Sequence, residues 1–234
     1  MIYNSDYQNS GWILLQKFFP ESSIQASLDW LTKARENTTH NSSLEPEFEK
    51  FGLSYHRHVR KIRRLLWNDL PFWSNLLSQS GVFELGSQFI SGKPAIIRHA
   101  AFLKPRYVGS KVELHQDQAL WEHDYPGAIS MWIALSSSHN QNGCLEIYPG
   151  SHLEGLRSHQ KTIEYSWHAH IHPDNSELCK PKKIQMQAGD ILIWHRYLVH
   201  GSGPNYSGDS REGMVLVFAN TSIPNFQSRD ILEI

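Results

Sequence analysis

Apolar residues near the start of the chain change from a continuous run to helical spacing. Residues 11–15 form a short apolar run that predicts a β-strand. Pro20 then offers a helix start, and Ile24, Leu28 and Leu31 follow it at spacings of four and three. We therefore predict one strand followed by one amphipathic helix.

Two segments separate this helix from the second half of the chain. Residues 36–50 are polar and predict a loop, whereas residues 56–80 predict helix in two pieces that break near Pro71. A basic cluster at residues 56–64 opens the second segment. On a helix such a cluster is usually a solvated face, and a contact with an anionic substrate is the alternative.

From about residue 94 the apolar residues come in short runs separated by Gly, Pro and Asn. This pattern predicts an antiparallel sandwich or barrel, with helices of the first third packed on its outside. We interpret residues 1–234 as one domain with a helical N-terminal third and a β core from about residue 94. The predicted strands are residues 95–103, 111–115, 128–136, 143–148, 183–186, 191–194 and 213–219.

Composition narrows the class of protein. The 234 residues are 40% hydrophobic and 12% aromatic, as in a folded globular protein. A formal net charge of −1 gives no indication of a nucleic acid or an anionic membrane as partner. Cys144 and Cys179 do not form a disulfide framework, and we find no secretory leader and no membrane span. We expect a soluble protein of the reducing cytoplasm.

A candidate metal site comes from two neighbouring residues and one distant residue. His115 and Asp117 end a predicted strand, and His200 follows much later. Strand alternation points residues two apart to the same side, so the first two can share one metal ion. Two imidazoles and one carboxylate can hold one face of an octahedral Fe(II) and leave three positions open. This set of residue types is typical of non-haem Fe(II) oxygenases.

Five segments around these residues resemble the phytanoyl-CoA dioxygenase family of Fe(II)- and 2-oxoglutarate-dependent oxygenases. The resemblance implies a mainly β protein with flanking helices, folded as a double-stranded β-helix (jelly-roll, cupin-like). It also implies Fe(II), the co-substrate 2-oxoglutarate and O2, with release of succinate and CO2. The matching segments are HQDQALW (115–121), MWIALS (131–136), NGCLEIYPGSH (142–152), GDILIWH (189–195) and HGSGPN (200–205), the last followed by Arg211.

By this resemblance His115, Asp117 and His200 match the iron ligands. His195 is the rival of His200, but it lacks the following Gly-Ser-Gly and an Arg at the family's distance. We therefore interpret His195 as a packed or supporting histidine. In related halogenases a small residue replaces the carboxylate and frees a site for chloride, so Asp117 favours hydroxylation.

The same resemblance implies three contacts with 2-oxoglutarate. Arg211 matches the residue that pairs with the distal carboxylate, since a guanidinium fork donates two charge-assisted hydrogen bonds in a geometry that Lys does not offer. Ser202 and Trp132 match positions that line the co-substrate pocket. The alternatives are a solvated loop charge for Arg211, a turn hydroxyl for Ser202 and a core residue for Trp132.

Further candidates concern the substrate. Arg98, Gln118 and Trp121 lie near the metal ligands in sequence and are possible contacts, against ordinary structural roles. The alternating His168, His170 and His172 resemble a second metal tract, but we favour a substrate-facing or surface loop because no carboxylate or thiol partner is evident. The segments expected to decide the substrate are residues 104–111, 119–128 and 153–181.

These observations predict an enzyme that hydroxylates a C–H bond of a small molecule, either lipid-derived, amino-acid-derived or a natural-product intermediate. The first alternative is the same iron chemistry giving desaturation, epimerisation or ring closure. An alternative of another class is a non-catalytic jelly-roll binding module, and a structural zinc site is a third. Such zinc sites usually close with four ligands, whereas three ligands and an open face favour catalysis.

Overall fold

The computed structural model describes residues 4–37, 42–45, 58–161, 169–171, 178–228 and 230–233. Its helices are α1 (Asn4–Ser10), α2 (Glu21–Glu36), α3 (Leu65–Asn68), α4 (Leu70–Gln79) and α5 (Val82–Ser87). Its strands are β1 (Trp12–Leu15), β2 (Ser42–Leu44), β3 (Val59–Arg63), β4 (Pro94–Lys104), β5 (Val112–His115), β6 (Ile129–Ala134), β7 (Leu145–Ile147), β8 (His159–Lys161), β9 (Ala169–Ile171), β10 (Lys182–Ile184), β11 (Ile191–His195), β12 (His200–Ser202), β13 (Arg211–Asn220) and β14 (Leu232–Glu233).

The strands form two antiparallel sheets and a separate hairpin. The large sheet has the order β1-β11-β6-β13-β4-β3-β2, with β14 paired to one end of β4. The small sheet has the order β10-β7-β12-β5, and β8 pairs with β9. Many neighbouring strands are therefore distant in sequence, such as β5 and β12, whose pairing brings the segments around His115 and His200 together.

Each face of the large sheet is covered by a different layer. On β6 the residues Met131 and Ile133 pack with the helices, in a cluster that includes Leu31 and Trp73. The intervening Trp132 packs between the sheets, with side chains of β7, β10 and β11. All six residues of β6 are consequently buried, and five of them are apolar, the exception being Ser130.

The first third of the chain is less helical than predicted. The predicted loop at residues 36–50 contains β2 in its described part, and the first piece of the predicted helix at residues 56–80 contains strand β3 and only the one-turn helix α3. Successive residues of a strand point to opposite faces, which explains the error. Ile62 packs in the core, whereas Lys61 and Arg63 lie on the other face and line a cavity, so these two cations of the basic cluster form the polar side of a strand. Three strands thus precede residue 94.

The second piece of that helix exists but begins earlier than predicted. Asp69 caps α4, and its carboxylate accepts a hydrogen bond from the backbone N–H of Phe72. Pro71 lies in the first turn of α4, where its missing N–H costs nothing. Within the described residues, no helix combines the length and the apolar character that a membrane span requires.

The strands predicted from residue 94 onward are all present, with shifts of one or two residues at their ends. Six short elements were missed, because a run of two to seven residues has too few positions to show a period. Those missed are α1, α5, β8, β9, β12 and β14.

The buried His99 makes the stability of the fold depend on pH. Its Nδ1 accepts a hydrogen bond from the backbone N–H of Leu66 at 3.0 Å, and burial lowers its pKa to about 4, with Arg64 adding to the effect. Between pH 6.5 and 4 the unfolded chain binds the proton more readily, so stability falls as the pH falls through this window.

We expect His99→Gln to remove this dependence, because the amide oxygen can accept the same hydrogen bond but does not titrate. Between pH 7 and pH 4 the wild type should lose about 3 kcal/mol more of its free energy of unfolding than the variant. Chemical denaturation of the metal-free proteins at both pH values measures the difference. Equal losses in the two proteins would show that His99 does not cause the acid sensitivity.

Candidate functional site

Three side chains converge at one edge of the small sheet. His115 is the last residue of β5, and it pairs in antiparallel register with His200, the first residue of β12. Asp117 opens a short 3-10 turn two residues after His115. The candidate ligand atoms of these residues all lie within 4.8 Å of one another. The structure thus brings together the three predicted ligands, called the triad below, and no second such group occurs among the described residues.

Backbone carbonyls hold both imidazoles of the triad in one tautomer. The Nδ1 of His115 donates to the carbonyl of Glu113 at 2.8 Å, and the Nδ1 of His200 donates to that of Leu198 at 3.0 Å. Each ring then turns its Nε2 towards Oδ1 of Asp117, at 3.6 Å in both cases. Burial lowers the pKa of His200 to about 4, with His115 adding to the effect. The Nε2 lone pair of His200 is therefore available at neutral pH.

Asp117 divides its two oxygens between the triad and the protein. Oδ2 accepts hydrogen bonds from the indole N–H of Trp194 at 2.9 Å and from the hydroxyl of Ser130. Burial acts to raise the pKa of this carboxyl, but His200 and His115 outweigh it and the pKa lies well below its usual value. The carboxylate is ionised, and Oδ1 faces the two imidazoles.

Gln116, between the first two triad residues, faces away from them and is fully buried. Its amide nitrogen donates to the carbonyls of Gly155 and Tyr197, and its amide oxygen accepts from the backbone N–H of Arg157. Its own backbone N–H donates to Nε2 of His159 at 3.0 Å. Gln116 thus anchors the segment that carries two of the three candidate ligands. The sequence analysis missed it, although strand alternation could have placed it on the protein side.

Arg211 is buried at the start of β13, and its Nε is a buried donor without a partner among the described residues. Its guanidinium carbon lies 4.5 Å from the ring centroid of Trp132, and Nη1 donates to the carbonyl of Gly143. Gly213 makes room for this arrangement, because a Cβ there would lie 2.1 Å from the indole of Trp132. An unpaired buried donor is costly, so this N–H points to a missing acceptor.

Two further buried cations, Lys104 and Arg60, lie close to Arg211. Lys104 donates to two backbone carbonyls, and burial and the charges of Arg211 and Arg60 hold its pKa well below the usual value. Glu45 is the buried acid beside them, and burial raises its pKa. The three cations thus outnumber the one acid. This end of the site is electrostatically suited to an incoming anion.

A cavity of about 1070 Å³ joins the triad to Arg211. Trp132 and Ser202 also line it, as predicted for the co-substrate pocket. Its volume lies at the upper end of the range for small-molecule sites, so it can hold two small molecules at once.

The three candidate substrate contacts have different positions. Arg98 and Trp121 line the cavity. Gln118 does not: its amide oxygen accepts from Arg196 at 2.8 Å and from the backbone N–H of Tyr125, and its nitrogen donates to a carbonyl of the same loop. With both ends of its amide occupied, Gln118 holds the loop, and its predicted role as a substrate contact does not fit this position.

The other predicted histidines lie apart from the triad. The ring of His195 packs against that of His152 at 5.2 Å, and its Nδ1 accepts from the backbone N–H of Tyr197. His170 lies on β9, where it forms a hydrogen bond with Gln160 across the hairpin. His168 and His172 lie outside the described residues.

The comparisons with known proteins agree with this geometry. A model of the family described as phytanoyl-CoA dioxygenase matches residues 7–213. "Phytanoyl-CoA dioxygenase 1" of Oryza sativa subsp. japonica is 28% identical over 163 residues, which are 70% of this chain and 58% of that protein. The "probable alpha-ketoglutarate-dependent hypophosphite dioxygenase" of Stutzerimonas stutzeri is 22% identical over 233 residues, covering 92% and 76%. The chain thus spans little more than half the length of the first relative.

Among solved structures, the apo form of EctD from S. alaskensis superposes with a TM-score of 0.76 at 18% identity, covering 96% of this chain and 82% of that one. This likeness confirms the predicted jelly-roll, double-stranded β-helix fold. A family model that matches residues 7–213 extends over most of the chain and includes the triad, Arg211 and Gly213. The chain therefore belongs to the phytanoyl-CoA dioxygenase family.

Proposed function

We propose that this chain is an Fe(II)- and 2-oxoglutarate-dependent dioxygenase that hydroxylates a C–H bond of a small molecule. One observation carries the proposal: the His-Asp-His triad lines the same cavity as Arg211, a buried cation whose Nε has no hydrogen-bond partner among the described residues. Desaturation, epimerisation or ring closure by the same iron chemistry are the alternatives within this class.

The residues present fit the metal and the co-substrate. Two imidazoles and one carboxylate are the donor set that suits Fe(II) and leaves open positions. The unpaired donor of Arg211, with a surplus of buried positive charge behind it, suits a carboxylate of 2-oxoglutarate. We infer that His115, Asp117 and His200 hold the iron.

The protein's own contribution is to orient these groups. The carbonyls behind His115 and His200 fix which nitrogen faces the metal, and Ser130 and Trp194 hold the carboxylate of Asp117. When bound, Fe(II), 2-oxoglutarate and O2 would supply the oxidation, with one oxygen atom going to the substrate and the other to succinate as CO2 is released.

We assign the contacts with 2-oxoglutarate to three side chains. Arg211 donates to its distal carboxylate, and Trp132 fixes the guanidinium plane through their stacking contact. Ser202 lines the same part of the cavity. We assign Arg98 and Trp121 to the substrate, since both line the cavity and neither is needed by the triad.

The wider setting is also part of the proposal. We infer that the chain acts as a single domain, with a small molecule rather than a nucleic acid or membrane as partner. A reducing cytoplasmic location is supported by Cys144 and Cys179, which are both free thiols.

Anaerobic addition of Fe(II) and 2-oxoglutarate should produce the charge-transfer absorption band of their chelate. On admission of O2 the protein should release succinate, faster when a pooled metabolite extract is present. Absence of both binding and turnover would contradict the proposal and leave a jelly-roll binding module. Zinc retained through purification without 2-oxoglutarate binding would instead indicate a structural metal site.

A further inference from the structure

Three cationic side chains on two paired strands face the cavity. Lys61 pairs with Phe102 and Arg63 with Ala100 across β3 and β4. Arg98 lies two residues before Ala100 on β4, so strand alternation places it on the same face. All three line the cavity that contains the triad. The basic cluster noted in the sequence therefore contributes to the walls of the site.

These three cations lack a direct ion pair within the described residues. Within the described part of the chain, Lys61, Arg63 and Arg98 form no ion pair with a carboxylate, whereas the adjacent Arg64 pairs with Asp230 at 2.8 Å. Lys61 lies against the ring of Phe102, with Nζ 4.5 Å from its centroid, and the charge of Asp117 acts on it without a direct ion pair. The three side chains, called the cation array below, thus retain most of their donor capacity.

The cavity as a whole carries surplus positive charge. Six Lys and Arg side chains of the described residues line it. Three carboxylates line it as well, and one of them belongs to the triad. Fe(II) and 2-oxoglutarate carry equal and opposite charges, so loading both leaves the surplus unchanged. Arg211 is used by the co-substrate and Arg64 by Asp230, so Glu122 is the one remaining described carboxylate of the lining for the three cations of the array.

Partial burial makes this surplus energetically significant. Lys61 and Arg98 are half-buried, whereas Arg63 is exposed. Burial together with the charges of Arg63, Arg60 and Arg98 lowers the pKa of Lys61 to about 7, although Asp117 acts to raise it. Like charges held together in a recess repel one another, and an anion between them relieves the repulsion. A surface patch open to water would have little effect of this kind.

We propose that the cation array is a binding site for an oxyanion group, and that the substrate therefore carries a phosphate, phosphonate or carboxylate. The reaction on such a substrate rests on the proposed function, whereas oxyanion binding by the array does not. Apolar lining residues beside the array, Phe102, Val215 and Val217, would contact the hydrocarbon part of the same molecule. The array would thereby decide which C–H bond lies over the metal.

The test compares three probes with the same carbon chain: hexyl phosphate, hexanoate and hexan-1-ol. Calorimetry under anaerobic conditions is run on the metal-free protein and on protein loaded with Fe(II) and 2-oxoglutarate. In both forms an oxyanion probe should bind about tenfold or more tightly than the alcohol, since each charge-assisted hydrogen bond contributes roughly 1.5–3 kcal/mol. The phosphate and carboxylate arms distinguish the two headgroups.

Lys61→Gln combined with Arg98→Gln should remove most of this preference and keep the chelate band, which also shows that the variant is folded. Arg106→Gln is the matched control, because Arg106 is exposed and lies outside the cavity lining. Equal affinity for all three probes would overturn the proposal. So would a preference that survives in the double variant but is lost in Arg211→Lys, since the oxyanion would then bind at the co-substrate position. If wild type forms no chelate but keeps the preference, the dioxygenase assignment fails and the oxyanion site stands.

Discussion

Asp117→Asn should abolish iron retention while the protein stays folded. The indole N–H of Trp194 can only donate, so the amide oxygen of the new side chain must take the Oδ2 position. Its NH2 group then faces Nε2 of His115 and of His200, where a metal ligand is needed. With only two ligands left, we expect the affinity for Fe(II) to fall by about 100-fold or more. Anaerobic calorimetric titration with Fe(II) measures the change.

The matched control is Asp29→Asn, because Asp29 is exposed on α2, far from the triad in sequence. It should bind Fe(II) as the wild type does. Thermal unfolding of metal-free Asp117→Asn should be close to that of the wild type, since the buried hydrogen bond to Trp194 is kept. Wild-type iron affinity in Asp117→Asn would remove this carboxylate from the ligand set.

Arg211→Lys should weaken 2-oxoglutarate binding without changing iron binding. Lysine keeps the positive charge but loses the planar fork and its stacking on Trp132. Losing one charge-assisted hydrogen bond of roughly 1.5–3 kcal/mol corresponds to about a 10- to 100-fold rise in the Kd. The Kd for 2-oxoglutarate is read from the chelate band of the Fe(II)-loaded protein.

Arg106→Lys serves as the control for this exchange, and both variants should titrate with Fe(II) alone like the wild type. A variant that loses Fe(II) as well as 2-oxoglutarate would show that position 211 supports the fold of the site. An unchanged Kd for 2-oxoglutarate would mean that the guanidinium makes no contact with it, and the unpaired Nε would need another acceptor.

The triad could be predicted from sequence because its chemistry is local or motif-based. His115 and Asp117 are two residues apart, and His200 occurs in a segment of the family resemblance. What sequence does not contain is the register that pairs His200 with His115 across two strands. That register results from packing of the whole sheet, so the distances within the triad required the structure.

Positions near the triad show where this reasoning fails. Gln118 and Trp121 lie three residues apart, yet one side chain is tied to the loop while the other lines the cavity. A 3-10 turn intervenes, and neither the strand period nor the α-helical period applies there. Sequence proximity to a ligand was therefore insufficient to identify a contact.

The helix predicted at the basic cluster was wrong for a different reason. Lys61 and Arg63 are polar positions whose neighbours Arg60 and Ile62 are both buried, so charge does not alternate cleanly with apolar character along β3. A buried Arg60 follows from the charged interior around Lys104, which is distant in sequence. Tertiary electrostatics thus overrode the pattern that usually separates helix from strand.

The hydrogen bonds of Gln116 have a consequence for how new specificities arise in this scaffold. They join the backbone between two candidate iron ligands to Gly155, Arg157 and His159, at the start of the long insertion between Ser151 and Pro181. An exchange of that insertion would alter metal retention together with substrate choice, unless the graft keeps these partners. Recombination and loop engineering should therefore succeed at junctions after His159 and fail at junctions before Gly155.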